Sequence, residues 1–404
     1  MEIVIGTHHL ISFAGMDTYL VTVAEGLQKL GHGVTVHALE QGEMAEVARE
    51  RGLVVPHDAA ELPDSCDVTF PQDAITAYEL AERYPGAPQV FVAHSDVFSL
   101  DRPPQLPGIT AAVVVMSERM RKMVEAMALR PPITRLRQPI DTHRFQPSGH
   151  VRPRARRAVL VGNYLYGRRL DVVREACEQA GLELDVYGRG FKTTANPEIV
   201  MTDADIVIGR GRVILEGMAC ARAAYLLDFA GTDGWVTPER YPAMEADAFG
   251  GVSREEVTDG KRIASELAAY DADMGLANRD LVVRHHRVLD HVYALVELFE
   301  GLAPTAAERP EEGLGELSRL SRESWLAESV AHALRRRNDE LRAEIDELRA
   351  EIDELRAEID ELPEHEEDAR VALTALHEFR QTRSYRLANA IGYPARVWRR
   401  MRER

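Results

Sequence analysis

The segment best equipped for chemistry runs from Asp205 to Ala224, Asp-Ile-Val-Ile-Gly-Arg-Gly-Arg-Val-Ile-Leu-Glu-Gly-Met-Ala-Cys-Ala-Arg-Ala-Ala. An apolar run passes through Gly209-Arg210-Gly211-Arg212 directly into a helical pattern. Glycines let backbone approach a ligand, a helix start offers free N–H groups, and arginines add positive charge; together these make a diphosphate seat. Glu216, one turn into the helix, is spaced to accept hydrogen bonds from ribose hydroxyls. Taken alone, the segment also fits a glycine turn with surface arginines. His8 and His9, after the first apolar run, face the expected cleft and suit either acceptor contacts or a structural role. Asp203-Ala-Asp205 and Asp271-Ala-Asp273 read as turn or cap acids. His285, His286 and His291 lack the carboxylate or spacing of a metal set, so no metal site is expected.

Positioning such a seat requires strands and helices in alternation. Apolar runs at Glu2–Gly6, Gly33–Ala38, Leu53–Pro56, Asp67–Phe70, Gln89–Ala93, Ala111–Met116 and Ile133–Leu136 alternate with amphipathic segments such as Met16–Leu30, which stops at Gly31. A second cycle follows the basic, proline-bearing Val151–Arg157, with strands at Ala158–Gly162, Leu182–Gly188, Asp205–Gly209 and Ala223–Asp228. A helical pattern over Asn278–Leu302 is expected to close it. Strands buried on both faces between helices predict an α/β fold of two Rossmann-like, doubly wound domains, with a ligand between them at the carboxyl ends of the strands. The predicted boundaries are residues 1–148 and 149–302, then a Pro-, Gly- and Glu-rich linker at 303–315. Thr237-Pro238-Glu239 reads as a helix start, and Gly231–Trp235 before it as a loop on the donor side of the cleft.

Residues 316–362 change to a heptad. Leu334, Leu341, Leu348, Leu355 and Leu362 alternate with Asn338, Ile345, Ile352 and Ile359, which puts Ile at a, Leu at d and one polar a position. That combination favours a parallel two-stranded coiled coil, here a homodimer through Asn338–Leu362, with Glu344, Glu351 and Glu358 at g facing Arg349 and Arg356 at e. A lone charge-paired helix is the alternative. Residues 363–404 form an amphipathic, Arg-rich helical tail in which Phe379, Tyr385, Tyr393 and Trp398 sit among arginines, a composition suited to an anionic membrane surface or to packing on protein.

Charge is unevenly distributed across the 404 residues, whose net is −17. Residues 315–369 carry 8 basic and 18 acidic side chains, and residues 370–404 carry nine Arg against Glu378 and Glu403. A net-acidic body argues against nucleic-acid binding. Cys66, Cys177 and Cys220 are odd in number and far apart, so they predict buried reduced thiols. With no basic n-region, no signal peptide and no membrane-length apolar run, the chain reads as cytoplasmic, with the tail peripheral at an inner membrane face.

Several segments, in order, resemble the GT-B fold of nucleotide-sugar glycosyltransferases, nearest to the retaining family-four enzymes. Leu215-Glu216-Gly217-Met218-Ala219-Cys220 is similar to that family's L-E-A-M-A-C-G segment. Arg135–Pro147 looks like its hinge segment, and Leu27–Val36 like its first-helix signature. The resemblance covers about residues 1–300. It implies a hexosyltransferase-type reaction, retaining and metal-independent, with no cofactor and a nucleoside-diphosphate sugar as co-substrate, in cell-envelope or other glycoconjugate synthesis. It gives Glu216 the donor ribose, puts His94 near the donor sugar as a catalytic residue beside Asp17, and places Gly162 and Arg168 in the diphosphate loop. Gly15 keeps one glycine of the loop after the first strand, and Arg210, with Gly209 and Gly211, compensates for lost positive charge. The acceptor, of unknown identity, would bind near Gly15, Asp17 and His94.

The departures from the family are specific. Its first motif carboxylate, eight residues before Glu216, is Ile208 here, and Asn163 replaces the diphosphate arginine. The second domain is also short. These features support an alternative in which the chain is a catalytically silent scaffold dimerised by its coil; a nucleotide-sugar epimerase is a weaker third reading.

Overall fold

The computed structural model describes residues 1–382 except 96, 150, 164–166, 189, 229–230, 252, 254–258, 303–308, 311 and 362–365. It divides into two compact units, Met1–Ser324 and Trp325–Arg404. The first opens with β1 (Glu2–Leu10), α1 (Gly15–Lys29), β2 (Gly33–Gln41), α2 (Glu43–Glu50), β3 (Val68–Pro71), α3 (Ala74–Arg83), β4 (Val90–Ala93), β5 (Ala112–Val115), α4 (Glu118–Ala126) and β6 (Ile133–Arg135). Strands pair in parallel in the orders β2-β1-β3 and β4-β5-β6, and a parallel bridge between Thr69 and Gln89 joins the two sets. Side chains of β1 alternate between cores: Ile3 and Ile5 pack with Leu20, Leu27 and Val36, while Val4 packs with Leu80 and Tyr84. This two-sided burial makes the strands apolar throughout. Leu53–Pro56 forms only a single bridge, Thr35 to Val54, because Val54 is exposed and Pro56 cannot donate to a ladder.

The second sheet contains β7 (Arg157–Val161), β8 (Glu183–Tyr187), β9 (Ile206–Gly209), β10 (Ala223–Asp228) and β11 (Gly231–Trp235), in the order β11-β10-β9-β7-β8. Helices α5 (Arg168–Gln179), α6 (Pro197–Asp203) and α7 (Arg212–Ala219) connect its parallel strands, and α8 (Tyr241–Ala246), α9 (Gly260–Ala268), α10 (Asp273–His285) and α11 (Val288–Glu300) follow. Its faces also alternate, Val159 and Val207 to one core, Leu160 and Ile208 to the other.

Three expectations are corrected. Gly231–Trp235 is not a loop but a buried strand antiparallel to β10. Its Gly-Thr-Asp-Gly sequence reads as a turn, yet Thr232 Oγ1 donates to Leu226 O at 2.7 Å and seals it to the neighbour. Asn278–Leu302 is not one helix and does not simply close the second domain. Between α10 and α11 the backbone N–H of Ile140 donates to His286 O (2.7 Å) and that of Val288 to Ile140 O (3.0 Å), so pairing with the crossing segment replaces helical bonds. Beyond the break, Val288, Val292, Leu295 and Phe299 join the core of the first sheet. Finally, the long helix α12 (Leu314–Glu361) begins inside the expected linker, because Leu314 and Leu317 pack against Ala81 and Ile109 and Ser318 Oγ donates to Glu79 Oε1 at 3.1 Å.

In the second unit α12 runs unbroken to Glu361, and α13 (Glu366–Gln381) follows. The expected seam residues Leu341, Ile345, Leu348, Ile352, Leu355 and Ile359 are the half-covered positions of a helix whose flanks are exposed. Arg349 and Arg356 pair within the helix, with Asp346 and Asp353 at 3.2 Å. Most of the expected basic tail, with Tyr385, Tyr393 and Trp398, lies outside the described residues. Among the described residues no helix is long and apolar enough to cross a membrane.

Candidate active site

The donor side of the expected site forms where β7 and β9, neighbours in the sheet, end beside the starts of α5 and α7. Gly162 follows β7 with open space where a Cβ would lie. Gly188, at φ +145°, crosses so close that a Cβ there would stand 1.9 Å from Gly162 O; only glycine permits this approach. Arg168 opens α5, and its side chain lies outside the described residues. Gly209, the last residue of β9, packs tightly on Val161 O, Arg210 is half-buried, and Gly211 adopts φ +58° as the residue before α7. Two helix starts thus come together at the carboxyl edge of a parallel sheet, with glycine backbone and arginine between them, an arrangement suited to an anion.

Glu216, expected at the donor ribose, is buried beside Arg212. It is 5% exposed, and its Oε1 accepts from Arg212 Nε at 2.7 Å. Arg212 extends the contact, donating to Pro139 O and to Thr22 Oγ1, both at 2.8 Å. Burial raises the Glu216 carboxyl above its ordinary range, opposed by the Arg212 guanidinium. Ile208 lies in the sheet core, away from the turn's polar groups.

The residues expected on the acceptor side lie at the carboxyl edge of the first sheet. β1 runs four residues beyond its expected end, carrying His8 and His9 within the strand. Asp73, capping α3, accepts from the His8 backbone N–H at 2.7 Å and from the Thr76 N–H at 2.9 Å, fixing the strand end. Asp17, in the first turn of α1 and 1% exposed, accepts from the Ser12 N–H through Oδ2 and places Oδ1 3.2 Å from His9 Nδ1. Burial lowers the His9 pKa, but Asp17 outweighs it, helped by Asp73, and the net shift is upward. Gly15, beside this pair, has open space around it.

His94, after β4, donates from Nε2 to Gln72 Oε1 at 2.5 Å and meets the Tyr19 ring edge-on. Burial and the nearby His291 push its pKa down to about 3, so it is a neutral, fixed imidazole. Sequence reasoning missed Gln72, Asp73 and Asp101, the last pushed up to about 6 by burial. Asp73 carries a readable signal, a cap residue just past an apolar strand; Asp101 carries none. Among the described residues no cluster of His, Cys, Asp or Glu could hold a metal. A polar cavity of about 360 Å3 opens elsewhere, lined by Glu25, Lys29, Arg51, Asp141 and Arg144, none of them expected site residues.

The two sides are tied together. Because Arg212 begins α7 and reaches Thr22, the turn after β9 abuts the helix whose first turn carries Asp17. Arg135 Nη2 adds a bond to each oxygen of Glu245, at 2.6 and 2.7 Å.

No protein-family profile matches the chain, and no curated protein matches its sequence. Among solved structures, Anabaena HepE in complex with UDP and glucose superposes with a TM-score of 0.55 at 11% identity, covering 75% of this chain and 100% of that one. An alpha-glucosyltransferase solved with UDP and a 13-mer DNA containing a HMU base gives 0.48 at 13% identity over 74% and 99% of the two chains. AviGT4, a glycosyltransferase involved in avilamycin A biosynthesis, gives 0.46 at 13% over 74% and 97%. The likeness to HepE carries the fold: largely parallel α/β sheets wound with helices, as the sequence resemblance implies.

Proposed function

We propose that this protein moves a glycosyl group from a nucleoside-diphosphate sugar to an acceptor hydroxyl. The observation that carries this reading is the pairing of the two helix starts after β7 and β9, lined by Gly162, Gly209, Arg210 and Gly211. The fold shared with HepE, solved with UDP and glucose, supports it. Positive charge and N–H groups there stabilise the charge growing on the departing diphosphate. Such a seat needs no metal, and the co-substrate takes the place of a cofactor. The acceptor binds at Gly15, Asp17 and the end of β1. The heptad of α12 dimerises the enzyme, and the Arg-rich tail holds it at an anionic, inner membrane face, where a cell-envelope acceptor would be met. Vesicles of anionic lipid should lose the protein when residues 371–404 are deleted.

A second reading, a silent scaffold, is favoured by Glu216 being turned to Arg212 and Ile208 being packed in the core. Calorimetric titration with UDP, GDP, dTDP, ADP and CDP separates the two. One nucleotide should bind, and Arg210→Ala should weaken it about tenfold, near 1.4 kcal/mol. Binding by none of the five would overturn the transferase reading.

A further inference from the structure

The geometry points to a second ligand site in the cavity of about 360 Å3 between α1, the end of α2 and the crossing segment. Its ligand is a phosphate monoester of a small polyol, a sugar phosphate in class. None of its lining residues belongs to the turns after β7 and β9, and the inference does not rest on the glycosyl-transfer reading.

Three cations and two carboxylates line the cavity: Lys29 and Glu25 from α1, Arg51 at the C-terminal cap of α2, and Asp141 and Arg144 from the crossing. Asn196, the residue before α6, adds an amide. The cations outnumber the carboxylates, and two of them are loosely held. Among the described residues the Arg51 guanidinium makes no hydrogen bond, and its ion pair with Glu25 Oε1 spans 3.7 Å. A settled charge-assisted bond is nearer 2.7–2.9 Å. Lys29 Nζ stands 3.4 Å from Asp141 Oδ2. Asp141 is committed to its own turn, its Oδ1 accepting from the His143 and Arg144 N–H groups at 3.0 and 3.1 Å. Arg144 donates from Nε to Glu198 Oε2 at 3.1 Å and from Nη2 to Ala195 O at 2.8 Å. These bonds fix its guanidinium plane and leave Nη1 without a partner among the described residues. Burial lowers the Arg51 guanidinium below its ordinary value, and the Arg144 charge adds to the effect, so two like charges share one space.

Guanidinium groups with open N–H donors match a tetrahedral dianion, whose several oxygens engage both at once. A phosphate there relieves the repulsion between Arg51 and Arg144 and takes the donors that Glu25 does not reach. Volume sets the rest of the ligand. The cavity falls within the roughly 300–1,000 Å3 of small-molecule sites and is larger than a bare phosphate fills. Its remaining lining is polar, with Asn196 and Asp141 offering amide and carboxylate groups suited to hydroxyls. Glu25 sets the pH dependence. Burial raises its carboxyl above the ordinary value, opposed by Arg51 and Lys29. The charges around it are Lys29 on its own helix, Arg51 from α2, and Asp141 and Arg144 from the crossing, with Glu198 of α6 behind Arg144. A bound dianion raises that carboxyl further, so binding takes up a proton and, reciprocally, acid tightens binding.

The test is calorimetric titration of the full chain with glucose 1-phosphate, inorganic phosphate and glucose. Glucose 1-phosphate should bind, inorganic phosphate about tenfold more weakly, and glucose not at all. Arg51→Gln should weaken glucose 1-phosphate by about tenfold or more, and Arg51→Lys should restore part of the loss. Arg210→Ala should leave its affinity within about twofold, and melting temperatures check that each variant folds. Absence of binding by both phosphates would overturn the inference. So would binding that survives Arg51→Gln and is lost in Arg210→Ala, because the phosphate would then sit at the turn after β9. Equal affinities for the two phosphates, or binding of glucose alone, would overturn the sugar-phosphate class. Sulfate, a dianion across this range, isolates Glu25: its affinity should rise as pH falls from about 7.5 to 5.5. Glu25→Gln should bind sulfate more tightly than wild type at the upper pH and flatten the rise; weaker binding by this variant would overturn the anion assignment. Failure of all five nucleotides would overturn the transferase reading and leave this site standing.

Discussion

His286 and His291 hold consecutive carbonyls of the segment that crosses between the two sheets: His286 Nδ1 donates to Gln138 O and His291 Nδ1 to Arg137 O, each at 2.8 Å. Each Nε2 accepts from a tyrosine hydroxyl, Tyr241 at 2.8 Å and Tyr19 at 3.0 Å. Arg212 takes the next carbonyl, Pro139 O. Three carbonyls in a row are thus satisfied by side chains from beyond the segment, so an irregular, partly buried crossing leaves none of these acceptors orphaned.

Acid should loosen this crossing. Burial pushes both imidazoles down to about 4, below the ordinary histidine value near 6.5. Between those values the unfolded chain binds protons that the folded one refuses, so stability is full above pH 6.5 and falls as pH drops toward 4. The loss is of order 3 kcal/mol for each histidine. Thermal melts from pH 7 to 4.5 should show the decline, and His291→Gln should flatten it. A melting temperature that holds steady to pH 4.5 would contradict the assignment.

Arg212 and Glu216 predict a different asymmetry. Both are buried, so Arg212→Met leaves a carboxylate without its partner and should cost about 3–5 kcal/mol in urea denaturation. The double variant R212M/E216L removes both charges and should recover most of that loss. If the single and double variants lose equally, Arg212 matters through Thr22 and Pro139 rather than through Glu216.

Much of this fold is legible in the sequence because buried parallel strands announce themselves. The apolar runs at Ala158–Gly162 and Asp205–Gly209 coincide closely with β7 and β9, and the glycine signals around α1 place that helix to within a residue. Legibility fails where tertiary partners decide. Nothing local in Asn278–Leu302 says that Ile140 will capture the backbone on both sides of Arg287, and a Gly-Thr-Asp-Gly strand looks like a turn until Leu226 closes it. In the site, residue types were readable but pairings were not. Asp17 was visible as an acid near a glycine, while its alignment with His9 depends on how far β1 extends. Glu216 was visible as a helix carboxylate, while its burial against Arg212 depends on α1 lying opposite.

Gly188 offers a sharp test of the donor side. At φ +145°, with a Cβ position 1.9 Å from Gly162 O, Gly188→Ala forces either β8 or the loop after β7 to move. The backbone strain alone is about 1–3 kcal/mol. A lowered melting temperature together with weakened nucleotide binding would place the Gly162 turn in the diphosphate seat. Lower stability with unchanged affinity would confine the seat to Gly209–Gly211.

The heptad makes the last prediction. A 48-residue helix whose apolar positions recur at a and d leaves Ile345, Leu348, Ile352 and Leu355 half-covered in one chain. A second copy in register would bury them fully, and Ile at a with Leu at d selects two strands. Intrahelical pairs such as Arg349–Asp346 are exposed and worth only about 0.3–0.5 kcal/mol each. They cannot replace the burial of four branched side chains at roughly 1.5–3 kcal/mol apiece. Sedimentation equilibrium should therefore report a dimer of the full chain, and Ile345→Asp with Ile352→Asp should give a monomer that keeps its nucleotide affinity. A monomeric wild type would assign the heptad to a lone, charge-paired helix instead.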